Sequence, residues 1–364
     1  MNADAPKPSA AADAKKTADP TQTHLVVALK HARPLTAVRF DPKLQYVFTG
    51  AEDNTVQRWK LADAQALAAG AKGADGKPLE VKPTLFEGHD SWVRAIGFSP
   101  DGKTLYTGGY DGQVITWDAT ADKPKPIRKF DAHNNQWVRA IVVSADGKQL
   151  ATCGNDNLVK LWNAADGKLI REFKGHESHV YNVAFHPDGK SLASCDLKAN
   201  FKHWEIATGK CVRDFKAEAL HKYDTGFRAD IGGARALAFS RDGKLLAAGG
   251  ITNVTNAFAG IGNPAVAELD WESGKLKVLH VGKEAVNGVI WGLEQHVDGY
   301  WLGIAGSRGK GSNVYFWKPE AAQEFFKFNV PDVGRDMSLA ADGVQFAVAH
   351  ADGNLRIYRM EKKA

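Results

Sequence analysis

The stretch SPDGKTLYTGGYDGQVITWD, residues 99–118, holds a tight turn, two short apolar strands, a second tight turn and a closing Trp-Asp, and it recurs along the chain. Copies begin at Asp41 (DPKLQYVFTGAEDNTVQRWK), Ser144 (SADGKQLATCGNDNLVKLWN) and His186 (HPDGKSLASCDLKANFKHWE). Weaker ones begin at Ser240 (SRDGKLLAAGG), Val297 (VDGYWLGIAGSRGKGSNVYFWK) and Ala340 (AADGVQFAVAHADGNLRIYRM). Seven units at an offset of roughly 40 to 60 residues are the signature of a repeat fold.

Within the second unit the strands read WVRAIGF (Trp92 to Phe98), TLYTGG (Thr104 to Gly109), QVITW (Gln113 to Trp117) and PIRKFD (Pro126 to Asp131). Each is short, rich in β-branched and aromatic residues, and bounded by Gly, Asp or Pro. Asp-Gly pairs at 101–102, 146–147, 188–189, 242–243, 298–299 and 342–343 join first to second strands, because Gly accepts the positive φ that such a turn imposes. A small antiparallel sheet cannot bury both apolar faces alone. Stacked radially, each sheet buries its faces on its neighbours and leaves only short protected edges. The expected fold is therefore all-β: a seven-bladed propeller with four antiparallel strands per blade. The last unit stops at LRIYRM after its third strand, while HLVVALK (His24 to Lys30) precedes the first unit without a partner. The N-terminal strand is expected to complete the last blade and close the ring.

A hydrophobic content of 44% and ten Trp supply a large core for 364 residues. The 47 basic and 42 acidic residues leave a net charge of +5, too balanced to argue for nucleic acid, and no apolar run reaches the length of a membrane span. Residues 1–22 are rich in Ala, Lys, Asp and Pro without an apolar h-region and read as a flexible leader before a propeller over 23–364. Cys153, Cys195 and Cys211 have neither disulfide nor zinc spacing and read as buried small hydrophobes. That usage favours a reducing, cytoplasmic setting, and a mature exported form would look the same.

The segment GHDSWVRAIGFSPDGKTLYTGGYDGQVITWD resembles a WD repeat, and the resemblance extends over residues 23–364. It implies that an Asp six residues before the Trp bonds a His, which in turn meets a Ser or Thr and the Trp. Carried over, the sets are Asp53, His31, Thr49 and Trp59; Asp111, His89, Thr107 and Trp117; and Asp156, His133, Thr152 and Trp162. The fourth unit keeps His176, Ser194 and Trp204 but has Lys198 in the Asp position, with Asp196 displaced by two. In the fifth, Leu269 takes the Trp position with neither a matching His nor the turn Asp; the sixth retains Trp317; the seventh retains Asp352 with Tyr358 in the Trp position.

No metal or cofactor is expected. His31, His89, His133 and His176 are absorbed by the repeat, and the other His lack ligand spacing. GIGNPA (Gly260 to Ala265) mimics a dinucleotide fingerprint without its strand-to-helix context, and SRGKGSN (Ser307 to Asn313) lacks the phosphate-loop spacing. NVT (Asn253 to Thr255) is a glycosylation sequon that matters only in a secreted eukaryotic protein. No nucleophile elbow, CxxC or HExxH occurs, so catalytic residues are expected to be none. A hydrolase-like propeller enzyme with its site at the channel mouth is the alternative, since propellers host catalysis without a linear motif.

Aligning the first strands as PLTAV, WVRAI, WVRAI, HVYNV, GARAL, AVNGV and VGRDM places Thr36, Arg94, Arg139, Tyr181, Arg235, Asn287 and Arg335 at one equivalent position. A bulge is expected two residues earlier, at Pro34, Trp92, Trp137, His179, Gly233, Ala285 and Val333, and Glu52, Tyr110 and Asn155 precede the turn Asp. By the resemblance, these positions ring the top of the central channel. The candidate partner-binding residues are Trp92, Arg94, Tyr110, Trp137, Arg139, Tyr181, Arg235 and Arg335, since guanidinium groups beside aromatic rings suit carboxylates, phosphates or an acidic peptide. The competing reading pairs each Arg with a neighbouring Asp such as Asp336. Insertions at 217–233 and 251–265 are expected to rise from the same rim with Tyr223, Phe227 and Phe258 as apolar groups. A third, at 61–83, should lie opposite, with an Ala-rich start able to form a short helix. The chain thus reads as a monomeric, non-catalytic scaffold for a protein or peptide partner.

Overall fold

A computed structural model describes residues 18–256, 261–307 and 310–363. Seven four-stranded antiparallel sheets form the blades, and six of them are built from strands consecutive in sequence. Blade two runs Val93–Phe98, Thr104–Gly109, Gln113–Asp118 and Arg128–Asp131, so its outermost strand starts two residues later than PIRKFD suggests. Isoleucine 127 still donates its amide to the Thr116 carbonyl at 2.8 Å but stands exposed. The last blade comprises Gly334–Leu339, Gln345–His350 and Asn354–Met360, and its fourth strand is Thr23–Lys30 from the start of the chain. Leu29 pairs with Leu355 and Leu25 with Tyr358, while Val27 and Leu29 are buried. Residues 19–22 of the expected leader are tied in as well: Asp19 donates its amide to the Met360 carbonyl at 2.7 Å, and Pro20–Gln22 make one 3-10 turn. Residues 1–17 lie outside the described residues.

Hydrophobic layers lie between blades, as radial stacking requires. One joins Phe48, Val56 and Phe86 of blade one to Val93, Ile96 and Leu105 of blade two, and Trp117 closes it at 5.5 Å from Phe86. The Asp-Gly turns form as expected, with φ of +70° at Gly102 and +74° at Gly243. The insertion at 61–83 opens with helix Leu61–Ala68, whose buried Leu61 and Ala64 join the layer between blades seven and one. Cys153 and Cys195 are buried, whereas Cys211, at the start of the outer strand of blade four, is exposed. Outer strands face solvent, so a strand position alone does not bury a thiol.

The four-residue network is complete in blades two and three. Trp117 donates its indole N–H to Thr107 at 2.9 Å, Thr107 lies 2.8 Å from His89 Nε2, and His89 Nδ1 lies 3.0 Å from Asp111. Trp162, Thr152, His133 and Asp156 repeat this at 2.9, 2.8 and 2.7 Å. Because the indole can only donate and the carboxylate only accept, the chain of bonds runs one way and sets a neutral His with its proton on Nδ1. Burial lowers the His133 pKa and so favours that neutral form. Asp156 also meets the buried Lys160 ammonium at 3.2 Å.

Blade one departs from the expected set. His31 bonds Asp53 through Nε2 at 2.7 Å, and Gln57 stands between His31 and Thr49, taking the Thr49 hydroxyl at 2.7 Å. Blade four is more complete than its sequence suggests: Asp196, displaced by two, still accepts from His176 at 3.0 Å, and Ser194 links His176 to Trp204. Asp196 sits at the end of the second strand and caps the amides of Lys198 and Asn200, which points its carboxylate inward. Blade five uses a network invisible to the repeat pattern. Glu268 of its third strand accepts from Trp301 of blade six at 2.7 Å and meets His280 Nε2 at 3.3 Å, and all three side chains are fully buried. In blade six the Trp317 indole donates to the Val281 carbonyl at 3.1 Å. In blade seven Asp352 is held by Arg356 at 2.6 Å and by Asn354 at 2.8 Å.

These carboxylates titrate abnormally. Burial alone would raise Asp352, but the bonds from Arg356 and Asn354 outweigh it and bring it to about 2. The same competition leaves Asp53, Asp111, Asp156, Asp196 and Glu268 below the usual range. A depressed carboxylate stabilises the fold above its unfolded pKa, about 3.9 for Asp, and that stabilisation disappears as pH falls toward the folded value. The urea midpoint is therefore expected to fall steeply between about pH 4 and about pH 2, and less steeply in Asp352→Asn. Parallel curves for the two proteins would show that Asp352 carries none of the slope.

Candidate functional site

The register of the first strands decides which side chains reach the channel. Register shifts fall at Thr36, Arg94, Arg139, Tyr181 and Arg335, between residues 35 and 37, 93 and 95, 138 and 140, 180 and 182, and 334 and 336. The bulge is thus at the Arg position itself, not two residues before it. A bulged residue is released from the alternation of the strand and can be re-aimed, here toward the axis. In blade six the first strand is Val289–Gln295, with its shift between Ile290 and Gly292. Trp291 occupies the equivalent place, and Asn287 lies upstream of the strand. The Asp298-Gly299 turn lies seven residues after Trp291, the same spacing that separates Arg94, Arg139, Tyr181, Arg235 and Arg335 from their own Asp-Gly turns, so the alignment on Asn287 is off by four residues.

Trp92 and Trp137, two residues before Arg94 and Arg139, stand on the rim. Their carbonyls accept the amides of Tyr110 and Asn155 at 2.9 and 3.1 Å, which fixes the residue before each turn Asp beside the channel. Tyr110 stacks on Trp137 at 3.9 Å and 4° and lies 5.9 Å from Trp92 at 26°. Both indoles remain about two-fifths exposed, at 41% and 40%. Arg139 then lies over Trp137 and Tyr181, 4.6 Å from each ring, and Arg235 covers the Tyr181 ring at 3.9 Å. Trp291 continues the series 5.7 Å from Arg235. The result is an arc of alternating rings and guanidinium groups across blades two to six.

The acid pairing expected under the competing reading is realised for some arginines. Arg335 pairs with Glu52, and Arg94 lies 3.8 Å from Asp336, which chiefly binds Arg39 at 2.7 Å. Arg139 donates to the neutral Asn155 at 2.8 Å. Among the described residues neither Arg139 nor Arg235 has a carboxylate within ion-pair distance. Burial, with Arg235 and Arg94 adding like charge, holds Arg139 below its ordinary pKa. A mouth cavity of about 480 Å³ is lined by Trp92, Arg94, Tyr110, Trp291 and Arg335 among others.

The two insertions of blade five rise beside this arc. Residues His221–Asp224 and Ala229–Gly232 form a hairpin with exposed Tyr223 and Phe227. Lys222 bonds the Val254 carbonyl and thereby links it to the second strand of blade five, which runs on to Asn256. Phe258 and Gly260 lie outside the described residues, as do Arg308 and Gly309 of the SRGKGSN stretch.

The WD domain, G-beta repeat family matches residues 23–60, 80–118, 124–163 and 167–205, each match taking the outer strand of one blade with the three inner strands of the next. The ring of seven blades, closed by its own N-terminal strand, extends that match around the axis. The chain belongs to the WD-repeat family. Blades five to seven of this WD-repeat propeller are the ones whose networks depart most from the repeat pattern. Among curated relatives, Protein HIR1 of Yarrowia lipolytica is 32% identical over 108 residues, covering 29% of this chain and 10% of that protein. The probable cytosolic iron-sulfur protein assembly protein 1 of Malassezia globosa is 33% identical over 97 residues, 27% of this chain and 26% of that protein. Striatin-4 of Homo sapiens is 28% identical over 100 residues, 28% of this chain and 13% of that protein. The matched stretches span between a tenth and about a quarter of these relatives, at 10% and 26%. No described helix of the WD-repeat propeller is long and apolar enough to cross a membrane.

Proposed function

We propose that this WD-repeat propeller is a non-catalytic scaffold whose top rim captures an acidic segment of a protein partner. The observation that carries the reading is the pair Arg139 and Arg235, 4.6 and 3.9 Å from the same Tyr181 ring, with no carboxylate partner among the described residues. An ordinary solvated rim would pair its charges locally, as Arg335 and Glu52 do. Trp92, Tyr110 and Trp137 supply rigid aromatic area next to these charges, and Trp, Tyr and Arg are the residues that most often dominate interface energy. Arg94 contributes field, although part of its charge is answered by Asp336. The relatives include proteins named for iron-sulfur protein assembly and ribosome biogenesis, names consistent with work in complexes.

The test is a titration of the intact chain with glutamate-rich peptides, read by the fluorescence of the exposed Trp92 and Trp137. Arg139→Ala with Arg235→Ala is expected to weaken binding at least tenfold, roughly 1.4 kcal/mol, while the unfolding midpoint stays put. Lysine-rich peptides of equal length should leave the signal flat. Unchanged affinity for the glutamate peptide in the double variant would assign the arginines to structure alone.

A further inference from the structure

Below the rim, the first strands of all seven blades enclose a chamber of about 380 Å³ in the central channel. Its charged lining consists of four guanidinium groups, Arg39, Arg94, Arg139 and Arg235, and two carboxylates, Glu294 and Asp336. Asp336 is already committed, accepting from Arg39 at 2.7 Å and from the Val38 amide at 3.0 Å. Glu294 accepts the Leu339 amide at 3.0 Å. The chamber therefore holds two more positive charges than negative ones even with both carboxylates ionised. Desolvated charge of one sign is costly unless a counter-charge joins it. Guanidinium forks suit the paired oxygens of an oxyanion.

We propose that this chamber binds one small dianionic oxyanion, of the sulfate or phosphate class, against Arg139 and Arg235, and that Glu294 opposes the binding whenever it is charged. Glu294 faces Arg39 of blade one, Asp336 and the Leu339 amide of blade seven, and Arg241 in the turn between the first two strands of blade five, while Arg94, Arg139 and Arg235 line the same chamber from blades two, three and five. Burial, the dominant influence, pushes Glu294 up to about 7 against the pull of Arg39. Protonation removes its negative charge, so an anion binds more tightly as pH falls through that value. Burial and the charge of Arg139 hold His179, on the rim, below its ordinary pKa, and its protonation at lower pH would act in the same direction. The proposal shares the Arg139–Arg235 pair with the rim reading but requires no particular partner, since the oxyanion can arrive free or as the end group of a rim-bound segment.

The probe is sulfate, which keeps its charge across this range, titrated calorimetrically into the full chain with chloride balancing ionic strength. One saturable site is expected, at least about fivefold tighter at about pH 6 than at about pH 8. Glu294→Gln should bind as tightly at the higher pH as at the lower, which separates Glu294 from His179. Arg139→Gln with Arg235→Gln should lose the site while keeping its unfolding midpoint. Absence of saturable uptake, or an undiminished pH dependence in Glu294→Gln, overturns the proposal. Sulfate uptake without peptide binding would keep the chamber and refute the rim reading; peptide binding without sulfate uptake would do the reverse. Competition between sulfate and the glutamate peptide would show that a segment's own anionic group enters the chamber.

Discussion

Deleting residues 1–30 is expected to abolish cooperative folding of the propeller. The deletion strips the fourth strand from blade seven and leaves Asn354–Met360 as a bare edge beside a seam that can open. Val27 and Leu29, buried at 7% and 3% exposure, take with them about 1.5–3 kcal/mol each by transfer alone. The lost ladder adds unsatisfied amides along Asn354–Met360 at about 1 kcal/mol per bond. Together these approach the whole of a typical domain stability, about 5–15 kcal/mol. An exposed edge of this kind also templates association between chains. Urea unfolding followed by Trp fluorescence and size-exclusion chromatography checks both effects. A synthetic peptide of residues 18–30 added in trans should restore part of the transition. A truncated chain that unfolds with the full-length midpoint would mean that the first blade, not the seam, bears the closure.

A comparably large loss is expected from Glu268→Ala. The substitution removes the acceptor of the Trp301 indole and of His280, both fully buried. His280 has its other ring nitrogen 2.6 Å from the Ala321 carbonyl, so both nitrogens face acceptors. Taking away the carboxylate leaves the buried Trp301 donor and a His280 ring nitrogen without their partner, at about 1–3 kcal/mol each. Glu268→Gln keeps an oxygen toward Trp301 and is expected to lose clearly less. Asp53→Ala provides the contrast: its side chain is 29% exposed, and water can replace it at a cost of about 1 kcal/mol or less. Chemical unfolding of the three variants gives the order; equal losses at Glu268 and Asp53 would show that burial does not set the scale here.

Much of the architecture was legible because its causes are local. The Asp-Gly turns, the short alternating strands and the Trp, Thr, His and Asp of blades two and three lie within about thirty positions of one another, as His89 and Trp117 show. The partnerless strand at His24–Lys30 announced its own destination, since the last unit lacked one strand. The candidate rim was legible in part: Arg94, Arg139, Arg235 and Arg335 line the channel and its mouth, and Tyr181 lies against Arg139 and Arg235, as their shared position in the repeat implied. Trp291 was missed because the apolar pattern of AVNGV resembles the other first strands, and the spacing to the following Asp-Gly turn was not used to set the register. The signal was the Asp298-Gly299 turn, which stands seven residues after Trp291 just as Asp101-Gly102 stands seven after Arg94.

By itself, then, the sequence determined the number of blades, their strand order and the closure, because turn sterics and the two-residue side-chain period act between near neighbours. Only the tertiary structure decided where the charges find partners. Glu268 meets Trp301 across a blade boundary, and Arg39 meets Asp336 from opposite ends of the chain, 297 positions apart. Which arginines remain without a carboxylate depends on those distant encounters, since electrostatic energy follows separation and burial in space and carries no trace in the local pattern.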